Sequence, residues 1–257
     1  MEVVRFIFWT GLRTLGLIFL GLVAAKAVTG LRVPAASNQR RRFRAVRGAL
    51  YTLILFLVVL GARDVGIDVA AQNYAWTSGE NLAQGQLAKA YANALRAVEL
   101  RPGELRYWQM LARVKLALRQ FASVVADMPA IQALSGGKLD EDDAYRLAVS
   151  YYSLAQYERA IPLTQQMIRE NRMFAAAYVL QGYCYMAQKR FTEAQRTFLD
   201  VLQLFPTQQA AVEGLAHTHF VAGNTAAALD VLAQTDRFPF PPEARKRFAA
   251  LKALYAQ

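Results

Sequence analysis

The sequence predicts an all-α chain in two parts: a leading two-helix hairpin, then a stack of about five helix pairs closed by a last helix. Two observations carry this. Two apolar runs, Phe6–Val28 and Gly48–Ile67, open the chain and flank an arginine-rich stretch. After them, Ala90, Val124, Ala160, Ala194 and Ala228 recur at a near-constant period. That period is about 34 residues, the length of a two-helix unit. Composition narrows the field further. With 55% hydrophobic and 19% charged residues, the chain is too apolar to be disordered. A single cysteine excludes an internal disulfide framework, and two histidines leave little room for metal ligation. The net charge of +11 divides into +7 for residues 1–68 and +4 for residues 69–257. The excess therefore sits beside the apolar runs, as in a membrane anchor, and speaks against a nucleic-acid partner.

Residues 1–68 are expected to form a transmembrane hairpin. A spanning helix needs about 20 mostly apolar residues. Phe6–Ala25 meets that length with Arg13 inside it, and Gly48–Ile67 meets it with Arg63 and Asp64 near its end. The loop between them, residues 29–47, holds Arg32, Arg40, Arg41, Arg42, Arg44 and Arg47 and no acidic residue. Such a loop is expected in the cytoplasm, with Arg40, Arg41, Arg42, Arg44 and Arg47 on lipid headgroups. Both termini and the rest of the chain would then lie in the periplasm of a bacterial inner membrane. Arg13 either reaches headgroups alone or pairs within the membrane with Asp64. In an alternative reading, Ala25-Lys26-Ala27 is a signal-peptidase site and the first run is removed.

Residues 69–257 form the repeating part. The best copy is Ala175–Gln208, with Tyr178, Gly182 and Tyr185 on the first helix, Phe191, Ala194, Phe198 and Val201 on the second, and Pro206 closing the unit. This pattern resembles the tetratricopeptide-repeat (TPR) family, with departures at Gln181 and Val201. Weaker copies are Ala71–Glu104 (Gly85, Ala90, Ala97, Pro102), Leu105–Lys138 (Trp108, Leu111, Ala112, Phe121), Glu141–Phe174 (Leu147, Ala148, Tyr151, Tyr157, Ala160) and the stretch from Gln209 (Leu215, Ala216, Gly223, Ala228, Leu232). Small residues let paired helices approach closely, and aromatics fill the spaces between pairs. Pro129 is expected to kink its helix, because it lacks an N–H and its ring clashes with the preceding turn. Ser135-Gly136-Gly137 should end that helix. After Phe238-Pro239-Phe240-Pro241-Pro242, residues 243–255 read as an amphipathic capping helix with Phe248, Leu251 and Leu254 on its apolar side.

The resemblance implies a concave face lined by the first helix of each pair. Carried over position by position, it places Arg106, Gln109 and Arg113 there from the second unit and Asp142, Tyr145, Val149 and Tyr152 from the third. Val179, Tyr183 and Met186 follow from the fourth, then Glu213, His217 and Phe220 from the fifth. The implied partner is a protein or an extended or helical peptide with apolar anchors. The carboxylate clamp of chaperone-binding family members is not present at these positions. Asp140 to Asp143 stand at a helix start, where carboxylates cap free N–H groups, and lack an ion-binding loop spacing. His217 and His219 fall on different sides of a helix, with His219 expected in the core. Cys184 reads as a small buried thiol. No catalytic constellation and no cofactor motif is present. The function expected is a membrane-anchored scaffold that holds a protein client during assembly of an envelope complex, in a layout similar to the adaptor of bacterial cytochrome c maturation. Alternatives are a cytoplasm-facing repeat subunit of an exopolysaccharide secretion machine, or an accessory integral subunit of a respiratory, photosynthetic or transport complex that contacts other membrane subunits.

Overall fold

The structure, a computed structural model, describes residues 37–256 together with Gly16, Gly21, Val23, Ala24, Lys26, Val28 and Thr29. Of Ser37 to Ala45 it describes the backbone alone. The described residues contain eleven α-helices, a single 3-10 turn and no strand. The helices are α1 (Ser37–Ala83), α2 (Leu87–Leu100), α3 (Leu105–Ala117), α4 (Phe121–Leu134), α5 (Glu141–Ser153) and α6 (Tyr157–Glu170). They continue as α7 (Ala175–Ala187), α8 (Phe191–Leu204), α9 (Gln209–Val221), α10 (Thr225–Gln234) and α11 (Pro242–Tyr255). The chain divides into two compact units, Met1–Leu111 and Ala112–Gln257.

The five small residues of the repeat, Ala90, Val124, Ala160, Ala194 and Ala228, are all fully buried. A second periodicity lies in the backbone. Gly85, Arg119, Ala155, Lys189 and Gly223 all have positive φ, between 55° and 83°. Each precedes its buried small residue by the same five positions, so the two series share one period. Each also sits in the turn that joins the two helices of a pair. In the third helix pair, the Ala155 N–H donates to the Tyr152 carbonyl (3.0 Å) and the Gln156 N–H to that of Tyr151 (2.8 Å). This paired hydrogen-bond pattern satisfies the last carbonyls of a helix and requires a left-handed residue. Gly85 and Gly223 adopt that conformation without the Cβ clash that Arg119, Ala155 and Lys189 bear.

In the first unit, the C-terminal part of α1 pairs with α2. Ser78 Oγ donates to the Ala90 carbonyl (2.8 Å), and Asn93 Nδ2 to Thr77 Oγ1 (3.2 Å). Asp64 and Asp68 of α1 both bind Arg101, which follows α2: Asp64 through a hydrogen bond to the guanidinium, Asp68 at 2.5 Å from Nε.

The expected transmembrane hairpin is corrected here, and with it the location in a bacterial inner membrane with both termini and the repeats in the periplasm. No helix among the described residues is long and apolar enough to cross a membrane. The physical reason is visible in the second run. Its uncharged stretch, Gly48–Ala62, gives about 22 Å of helix against a hydrocarbon core of about 30 Å. It is bounded by Arg47 and by Arg63 and Asp64, and it forms the middle of a 47-residue helix. The first run lies largely outside the described residues, and Arg13 wholly so. Asp64, one of the two expected destinations of Arg13, binds Arg101. Thr29 and Ser37–Arg47 are helical where a loop was expected. Arg40, Arg41, Arg42 and Arg44 fall where only backbone is described, and Arg47 stacks over Tyr51, 5.8 Å from the ring centroid. The described residues give no support to the bilayer and the membrane-complex subunits expected as partners.

In the second unit, successive helices pack as antiparallel pairs around a core of alanines and aromatics that includes Ala148, Ala160, Tyr178, Tyr185, Ala194, Phe198 and Leu215. The ring of Phe198 is fully buried and lies between two glycines. A Cβ built on either Gly182 of α7 or Gly214 of α9 would stand 2.6 Å from Phe198 Cε1. No side chain larger than hydrogen fits at either position while the ring stays in place. Pro129, where a kink was expected, lies inside α4, which runs on to Leu134 and ends, as expected, at Ser135 with Gly136 and Gly137 at positive φ. Further ion pairs were not foreseen. Lys115 Nζ lies 2.5 Å from Asp127 Oδ2 between α3 and α4. Arg146 binds the fully buried Asp143 and also reaches Asp142 at 3.3 Å. Asp140 caps α5 as expected, accepting from the Asp143 N–H at 2.7 Å.

The capping helix α11 packs through Ala244, Phe248, Leu251 and Tyr255. This corrects the expected apolar side: Leu254 is exposed, and Tyr255, one residue on, is buried. Phe240 fixes the approach of α11, with its ring edge-on to Phe248 at 4.9 Å.

Candidate functional site

The residues expected on the concave face divide between the two units. In the first unit, Arg106 is exposed, 3.6 Å from Glu104 and with its guanidinium 4.9 Å from the Tyr107 ring centroid. Gln109 is half-buried and engaged with neighbours. In the second unit, Arg113 is exposed on α3.

Further along the second unit, Tyr145, Val149 and Tyr152 of α5 and Val179, Tyr183 and Met186 of α7 are all half-buried and rest on the same core. Helical spacing explains this placement. In each helix these positions recur three or four residues apart and form one stripe beside the buried stripe of Leu147 and Ala148 or Leu180 and Cys184. Their undersides are fixed. The Tyr145 ring stands edge-on to Phe174 at 5.4 Å, and Tyr152 packs on Tyr157 at 5.7 Å. Tyr183 stands edge-on to Phe198 at 5.4 Å and donates its hydroxyl proton to the Ala210 carbonyl at 3.2 Å. Burial, with Glu213, Tyr152 and Tyr255 adding to it, pushes the Tyr183 phenol up to about 12. Burial raises Tyr145 and Tyr152 as well. These phenols are thus neutral, positioned rings. Cys184, behind them, is a buried thiol pushed up to about 12 by desolvation, which removes nucleophilic character at neutral pH.

The last helix pair departs from expectation. His217 and Phe220 do not line an empty slot, because the last turn of α11 is seated between them. The Tyr255 ring stacks on Phe220 at 4.2 Å and 13°, and its hydroxyl lies 3.2 Å from His217 Nδ1. Glu213, at the other end of the same helix face, is bound by Gln209 at 2.7 Å and lies 3.7 Å from Arg247 of α11. Tyr255 is the residue of this face that sequence reasoning missed. The signal was present, since Ala244, Phe248, Leu251 and Tyr255 follow helical spacing. His219, expected in the core, is half-buried with its pKa lowered by desolvation, and its Nδ1 lies 3.3 Å from Gln195 Nε2.

Repeat-equivalent positions show what this seat means. His217 and Phe220 correspond, one repeat earlier, to Tyr183 and Met186, and these to Val149 and Tyr152. A side chain of the chain itself fills the last of three equivalent slots.

Helix pairs of this period, with this turn and this core, define a protein built of helical repeats. Residues 132–201 match the family described as "Anaphase-promoting complex, cyclosome, subunit 3", and residues 185–257 match the family described as "Tetratricopeptide repeat". No curated protein matches the chain. Solved structures similar in fold include YrrB, titled a TPR protein with an unusual peptide-binding site. It is 20% identical over 63% of this chain and 84% of its own, with a TM-score of 0.51. MamA from Desulfovibrio magneticus RS-1 is 15% identical over 65% of this chain and 94% of its own, with a TM-score of 0.58. TTC0263 from Thermus thermophilus is 21% identical over 70% of this chain and 98% of its own, with a TM-score of 0.54. At these identities the likeness is one of fold. The two family matches and these neighbours together support the tetratricopeptide-repeat superfamily for this chain.

Proposed function

We propose that this chain is a scaffold that holds a protein or peptide partner along the face formed by Val149, Tyr152, Val179, Tyr183 and Met186, and that it serves in the assembly of a larger complex. The observation that carries the reading is the seat of Tyr255. A side chain from another helix stacks on Phe220 and reaches His217, so this stripe of the helix accepts an inserted ring. The two equivalent slots, Tyr183 with Met186 and Val149 with Tyr152, are half-exposed. Rings whose undersides are already packed offer contact area at little entropic cost. The fold neighbour titled as having a peptide-binding site supports the same class of partner.

The test is photocrosslinking in cells of the source organism. A photoreactive residue replaces Tyr152 or Met186 in the full chain, and the exposed Asp230 of α10 serves as the control position. Capture of one defined partner from Tyr152 and Met186, and not from Asp230, is the expected outcome. Equal capture from all three positions would remove the groove from consideration.

A further inference from the structure

Beyond that groove, the second unit carries another surface that shares no residue with it. A hollow of about 850 Å³ opens where α6 ends and α8 passes. Arg169 of α6, Arg172 of the following turn and Arg196 of α8 line it, with Asp200 as its one carboxylate. All three arginines are exposed. None has a carboxylate within ion-pair distance among the described residues, whereas Arg101, Arg146 and Arg190 each have one. Glu170, adjacent to Arg169, is drawn to Lys138 at 3.1 Å. Apolar groups complete the hollow: Ile168 and Tyr178 lie at its base, and Met173 and Leu204 line it at 62% and 44% exposure.

We infer that this hollow is a second binding site, and that it takes an acidic linear peptide with apolar residues between its carboxylates. Charge complementarity sets the sign. Three guanidinium groups around a half-apolar base match carboxylates in two-pronged geometry better than any neutral ligand. Met173 and Leu204 need apolar partners to leave water. Asp200 and Gln203 complete the choice of partner. A carboxylate inside the hollow repels a continuous polyphosphate, but it accepts the backbone N–H groups that a peptide brings. A protein with both surfaces can hold two chains at once, one on each.

The experiment uses the full chain and a fluorescein-labelled peptide of alternating Glu and Leu, followed by anisotropy, with the matching Lys–Leu peptide and sodium tripolyphosphate as comparisons. Binding of the Glu–Leu peptide that weakens with added salt is expected. The triple variant Arg169→Gln, Arg172→Gln, Arg196→Gln should weaken it about tenfold or more, given the strength of charge-assisted bonds. Its helical circular dichroism should be unchanged, because all three side chains are exposed. Met173→Ala with Leu204→Ala should weaken it several-fold without altering the salt dependence. Equal binding by the triple variant, equal binding of the Lys–Leu peptide, or full competition by tripolyphosphate at matched charge would each overturn the inference. If a variant loses helicity, competition by tripolyphosphate and the Lys–Leu comparison on the native chain decide the matter alone.

Discussion

Phe198 between Gly182 and Gly214 permits a quantitative test of how this stack is built. Gly214→Ala adds one methyl group to α9. In an unpacked helix the change is favourable by about 1 kcal/mol, because alanine is the better helix former. Here the new Cβ would meet Phe198 Cε1 at 2.6 Å, far inside contact distance. The ring has little room to retreat, since Phe198 has no exposed surface and the gap beside Gly182 is itself too narrow for a Cβ. Overpacking of this kind costs about 1–3 kcal/mol. The net expectation is a loss of up to about 2 kcal/mol, with sign opposite to the propensity gain. Urea unfolding of the full chain, followed by circular dichroism at constant slope, reads the difference. Replacing the ring removes the clash, so in a Phe198→Leu background the same Gly214→Ala change should be neutral or stabilising. If Gly214→Ala stabilises the native chain, or costs the same in both backgrounds, the ring is not what excludes a side chain at this position.

Other outcomes follow from the same structure. Ala155→Gly should stabilise by about 0.5–1 kcal/mol in the same unfolding assay, since Ala155 bears a φ of 55°. Gly223→Ala, at φ 83°, should destabilise by a similar amount. Cys184 should resist alkylation at neutral pH in the folded chain and react readily in urea, because burial raises its pKa to about 12. The Tyr183 phenol contributes stability that is complete below the ordinary pKa of 10.0 and lost as pH rises toward about 12, so Tyr183→Phe should flatten the fall of stability across that window. Tyr255→Ala should uncover Phe220 and destabilise the cap by roughly 3 kcal/mol, read as earlier hydrogen exchange in α11 than in α7.

The helical repeat was legible in the chain because its signals are local. Ala160 and Ala194 mark where helices must approach. Gly136 and Gly137 supply a turn that only a left-handed residue can make, and Asp140 caps the helix that follows. Each of these effects operates within a few residues, so spacing alone reports it. The opening segment shows the limit of such reasoning. Gly48 to Ile67 reads as a membrane span when apolar character is counted, yet the stretch belongs to a longer helix, and Asp64 near its end is bound to Arg101, 37 residues away.

By itself, the sequence determined the helix class, the repeat period and the buried small residues. Tertiary structure alone decided that Tyr255 occupies the slot of His217 and Phe220, that Gly214 faces Phe198, and that Asp64 pairs with Arg101. Helix periodicity states which side of a helix is apolar, but it leaves open which distant side chain arrives there. That choice is made when the pairs stack, because the partner of each exposed ring or charge then comes from a helix that no local signal connects to it.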